Sequence, residues 1–121
     1  MPATNGSMRL KTYQVGTDRA VNAANPFERF IYMEPETPTS TVQHLVVYFY
    51  ANSFEVNDPN IGYQTPNTNR WVVALAPVGD FDAMYAILQT EKPLYFQWAA
   101  DNADKLLWFQ VSSRAEPIGH N

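Results

Sequence analysis

The sequence predicts an α+β domain built on a mostly antiparallel, strongly curved sheet of about six strands, with one amphipathic helix between the fourth and the fifth. Three observations carry this. Residues 93–113 (PLYFQWAADNADKLLWFQVSS) are two alternating apolar runs around a polar turn centred on Asn102, the pattern of a β-hairpin. Residues 42–51 (VQHLVVYFYA) are dense in β-branched and aromatic side chains, as in a central strand covered on both faces. Only residues 81–91 space their apolar side chains for a helix. Such a sheet leaves either a concave face or, if it closes, a barrel mouth, and small ligands favour barrel mouths.

Taken in order, residues 8–15 alternate, with Met8 and Leu10 on one face and Tyr13 and Val15 on the other. Turn residues bound 16–26, where Asp18 can cap a helical turn over 18–23. A second strand, 27–33 (FERFIYM), is closed by EPETPTS, whose two prolines exclude a central strand. After the third strand come eighteen residues, 52–69, with five asparagines, two prolines and a glycine, which read as one long loop. Residues 70–76 (RWVVALA) resume as a strand antiparallel to the third, a hairpin-like return being the shortest connection.

Asp80 stands where a helix N-cap belongs, and Phe81, Met84, Tyr85, Ile87 and Leu88 form the apolar stripe of the helix. Asp82 suits the positive end of the helix dipole, and Pro93 stops the helix. If Asp101 faces Asp104 across the hairpin turn, Trp98 pairs with Leu107, Phe96 with Phe109 and Leu94 with Val111 on an apolar face. Tyr95, Gln97, Trp108 and Gln110 then share the other face. Residues 1–7 and 114–121 read as extensions of the single domain.

Composition narrows the functions. The formal charge is −4 and the eight Lys and Arg residues form no cluster, which argues against nucleic acid as a partner. With no cysteine there is no disulfide, thiolate nucleophile or cysteine-ligated zinc. Neither a signal peptide nor a membrane span can be read from the apolar runs, so a cytoplasmic protein without a membrane partner is the expectation. Charged residues are 17% of the chain against a usual share of about 25%, and the seventeen aromatic residues exceed what a small core needs, so some rings belong to a pocket or an interface.

Catalytic motifs are missing. The two histidines, His44 and His120, lack metal-ligand spacing, and the glycines at 6, 16, 62, 79 and 119 build no phosphate loop. No serine sits in a nucleophile motif. Asp58 lies in a sequence, NDPN, that lacks the spaced ligands of a calcium loop. Asp80 and Asp82 read as helix-start residues, Asp101 and Asp104 as turn residues, and Glu34 and Glu36 as loop residues. No cofactor or metal is indicated.

What remains is a set of rings and amides: Tyr95, Gln97, Trp108 and Gln110 on the hairpin, Tyr48 and Tyr50 on the central strand, and Tyr63 with Asn60 in the loop. Rings supply flat apolar area and amides both donate and accept hydrogen bonds, a combination suited to a small neutral ligand such as a sugar, a nucleoside or a small aromatic. The same surface could be covered by a second copy of the chain in a symmetric homodimer. The first reading is therefore a small binding or interaction module. The alternative is a small enzyme with a barrel-mouth pocket in which His44, alternating with Val46, Tyr48 and Tyr50, or a carboxylate acts as acid or base.

Overall fold

A computed structural model describes residues 4–17, 27–50 and 61–113. The helical turn expected at 18–23, the first part of the long loop with Asp58 and Asn60, and the tail with His120 lie outside them. The elements are β1 (Thr4–Thr17), β2 (Phe27–Pro35), β3 (His44–Tyr50), β4 (Gly62–Gln64), β5 (Trp71–Pro77), α1 (Phe81–Thr90), β6 (Leu94–Ala100) and β7 (Leu106–Ser113). All seven strands form one sheet in the order β4-β5-β3-β2-β1-β6-β7.

The sheet curls because β1 serves two partners. Residues 4–9 pair with β6 and residues 10–17 with β2, both antiparallel, and a bulge between Leu10 and Thr12 interrupts the β2 ladder just past the changeover. The outer strands then meet: Tyr63 bridges Lys105, and the Gln64 N–H donates to the Asp104 carbonyl at 2.9 Å. The result is a nearly closed barrel, which leaves little open edge.

Several details differ from the sequence reading, each for a local reason. Seven strands replace about six because β4 lies inside the expected loop; three residues are too few to show a period. At Gly62 (φ 129°) a side chain would run into the Val73 carbonyl, so glycine lets β4 lie this close to β5. β4 takes the antiparallel place beside β5, and β5 is parallel to β3 rather than antiparallel. The twenty residues between Tyr50 and Trp71 are long enough for that crossover. The helix consequently follows the fifth strand, not the fourth. The bulge in β1 also turns Tyr13 and Val15, which pair with Met33 and Ile31, onto the same face as Met8 and Leu10.

In the hairpin the register moves by two residues, setting Phe96 opposite Val111, Trp98 opposite Phe109 and Gln97 opposite Gln110. The turn closes between Asp101 and Lys105 (Asp101 N–H to Lys105 carbonyl, 2.8 Å), with Asp104 at φ 63°. One extra residue is thereby accommodated as a bulge, which buries Leu106 and leaves Leu107 55% exposed instead of paired with Trp98.

Alternation fills the barrel. Leu45, Val47 and Phe49 of β3, Val72, Ala74 and Ala76 of β5, and Phe96 and Trp98 of β6 join one buried cluster. Val46 and Val73 are buried on the outer face as well, between partly buried neighbours on β3 and β5. At the end where β3 and β5 finish, α1 supplies Phe81 edge-on to Phe49 (5.1 Å between centroids), and the Arg29 guanidinium lies 4.7 Å from the centre of the Phe81 ring. Asp80 does not cap the helix with its side chain, because a 3₁₀ turn, Val78–Asp80, precedes α1 and already holds Asp80 in a helical conformation.

Candidate functional site

The opposite end of the barrel carries a half-open cavity of about 480 Å³. Gly6, Ser7 and Met8 come from the start of β1; Thr39, Thr41 and Val42 from the segment before β3; Gln64 and Pro66 from β4 and its turn; Trp98 from β6; and Asp104 from the β6–β7 turn. A polar chain runs along one wall. The Trp98 indole N–H donates to Gln64 Oε1 at 3.1 Å, and Gln64 Nε2 donates to Asp104 Oδ1 at 2.9 Å. Gln64 is 6% exposed and is the buried polar side chain among the described residues; both ends of its amide are satisfied, as burial demands.

Each piece has a local cause. A side chain at Gly6 would collide with the Trp98 indole across the β1–β6 ladder, so glycine there lets the ring lie flat against the strand. Thr39 Oγ1 accepts the Val42 and Thr41 N–H groups at 3.0 and 3.3 Å, which shapes the rim segment. Arg70 Nε donates to the Ser40 carbonyl at 2.8 Å and ties that segment to the start of β5. Asp101 Oδ1 accepts the N–H groups of Ala103 and Lys105 (2.8 and 3.0 Å), which holds the turn that presents Asp104.

The ring-and-amide set divides between two outer faces, apart from this cavity. On one, Tyr48 and Tyr63 line a shallow hollow of about 200 Å³ with Thr65, Asn69, Trp71 and Val73. Tyr50 lies on the same face of β3 as Tyr48, and its phenol pKa is raised by burial, then by the neighbouring Tyr48 and Tyr63. On the other, Gln110 Nε2 donates to Gln97 Oε1 at 2.6 Å, Ser112 lies 3.5 Å from that oxygen, Tyr95 is opposite Ser112, and Trp108 is 45% exposed. Across the β1–β6 ladder Tyr95 faces Arg9, whose guanidinium is 3.7 Å from the exposed Glu36 carboxylate.

His44 is on the outer face too, not at the cavity. Its Nδ1 is 2.7 Å from the Tyr32 hydroxyl, and its ring stacks on Trp71 at 4.5 Å. Burial, and secondly the Glu34 charge, raise the Tyr32 pKa, while the histidine tautomer sets which partner donates in this bond.

Sequence reasoning missed the three residues of the wall as a group. Trp98 reads as an inward hairpin residue, Asp104 as a turn residue and Gln64 as loop; the visible signal was the inward phase of Trp98 alone. Among the described residues no group of three or more His, Asp or Glu is placed to hold a metal ion, and no helix is long and apolar enough to cross a membrane. No family model, curated protein or solved structure matches this chain.

Proposed function

We propose that the protein is a binding module that holds a small organic molecule in the barrel-end cavity. The observation that carries this reading is a volume of about 480 Å³, with Met8, Val42, Pro66 and Trp98 as apolar walls and the hydrogen-bonded Trp98, Gln64 and Asp104 along one side. Sites for small ligands run from about 300 to 1,000 Å³ and combine apolar walls with a few convergent polar groups. Binding without turnover is favoured over the enzyme alternative because, among the described residues, the lining holds one carboxylate and neither a histidine nor a second acid with which it could exchange a proton. The test is thermal melting of the wild type and of Thr41→Phe, which fills the cavity from its rim, against a broad metabolite panel. A compound that raises the wild-type melting temperature and not that of the variant supports the reading; compounds that raise both equally bind elsewhere and count against it.

A second reading, self-association, is favoured by one observation. Tyr63 and Trp108, each 45% exposed, and Leu107, 55% exposed, lie on β4 and β7, the strands that meet at the barrel seam. A second copy would cover these side chains. Solution mass tests it: a dimer that Trp108→Ala converts to monomers supports the interface, and a monomeric wild type removes it.

A further inference from the structure

We propose that the barrel-end cavity selects a small organic cation, a protonated amine on a flat apolar body, over neutral or anionic molecules of the same shape. This rests on the reading of the cavity as a ligand site. Among the described residues, Asp104 is the single ionisable side chain in its lining, with no lysine, arginine or histidine. Among the described residues the carboxylate has one side-chain partner, the Gln64 amide on Oδ1, and no cation. An ionised carboxylate offers about four acceptor positions, so most remain for a donor in the cavity.

Two of the neighbouring polar groups are already engaged. Gln64 is oriented by its two bonds, oxygen toward the indole and nitrogen toward Asp104, and Thr39 Oγ1 already accepts two backbone N–H groups. On the same wall as the carboxylate, the Trp98 ring, 4% exposed and laid against Gly6, adds apolar lining to the cavity. An ammonium there gains a charge-assisted hydrogen bond where an alcohol gains an ordinary one. An anion meets repulsion from the carboxylate, which water in the half-open space weakens without reversing its sign.

A matched series of probes tests this: 2-phenylethylamine, 2-phenylethanol and phenylacetate, titrated calorimetrically at pH 7 into the full chain, the Asp104→Asn variant and the Thr41→Lys variant. The wild type binds the amine at least about tenfold more tightly than the alcohol, the margin expected when the hydrogen bond becomes charge-assisted, and phenylacetate most weakly. Asp104→Asn keeps an oxygen for the Gln64 amide and brings the amine down to the level of the alcohol. Thr41→Lys sets a competing cation at the rim and weakens the amine selectively, which keeps the test open if the Asn variant does not fold. Equal binding of amine and alcohol by the wild type, or an amine preference that survives both substitutions, overturns the charge selection while leaving the cavity reading in place. If none of the three probes binds and Thr41→Phe changes nothing across the metabolite panel, the cavity reading fails and this proposal fails with it.

Discussion

At the end of the barrel where β3 and β5 finish, α1 lays Phe81, Met84, Tyr85 and Leu88 against the core, with Phe81 edge-on to Phe49 and stacked on Tyr85. At the other end the same strands run into threonine, proline and aspartate, and a hydrogen-bonded chain of Trp98, Gln64 and Asp104 borders open space. The alternation that builds the walls is common to both ends, so what differs is the segment attached to them. An apolar helix stripe makes a plug whose worth is buried area. A buried amide with both ends satisfied makes a fixed wall that leaves room for a guest.

The first way to break this comparison is at the plug. Phe81→Ala removes a buried ring that touches Phe49, Tyr85 and Arg29, and should lower stability by about 3 to 5 kcal/mol in urea unfolding. A loss below about 1 kcal/mol would recast α1 as a loosely held lid rather than part of the core. At the open end, Gln64→Leu leaves the Trp98 N–H and the Asp104 carboxylate without their partner and should cost about 1 to 3 kcal/mol. It should also move the Trp98 indole N–H resonance. A neutral effect on both would mean that the polar chain does not order the wall.

How far the sequence anticipates each end follows from the range of the interactions involved. The helix stripe is local, and so is the alternation of Leu45, Val47 and Phe49 that sets the inner face of β3; both are legible at their own period. The bulges at residues 10–12 and at Leu107 insert single residues that reverse a face, and nothing in a period-two pattern announces them. β4 is hidden by its length, and with it the parallel placement of β5. The cavity wall was least legible because Gln64 and Asp104 are forty positions apart and meet only when the sheet closes. The outer-face set was legible as facing residues within each strand or hairpin, while its division into two surfaces depends on strand order.

The smallest expected effect concerns the outer face, which belongs to neither end. The Tyr32 phenol is raised above its ordinary value of 10.0, so the folded state holds that proton more tightly than the unfolded chain. The associated stability is complete below about pH 10 and is lost as the pH rises through the raised folded value. Tyr32→Phe should flatten that alkaline decline in a series of melts from neutral to alkaline pH. A decline of unchanged slope in the variant would assign it to other groups.

The three tryptophans permit a single decisive reading, because each sits in a different region: Trp98 at the cavity, Trp71 beside His44 and the shallow hollow, and Trp108 on the hairpin face. The most direct measurement is a ¹H–¹⁵N spectrum of the three indole N–H groups, assigned by single Trp→Phe variants, during titration with 2-phenylethylamine. The account predicts that the Trp98 resonance moves in a saturable way while those of Trp71 and Trp108 stay in place. Saturable movement of Trp71 or Trp108 with Trp98 unmoved would contradict it and place the binding surface on the outside of the barrel.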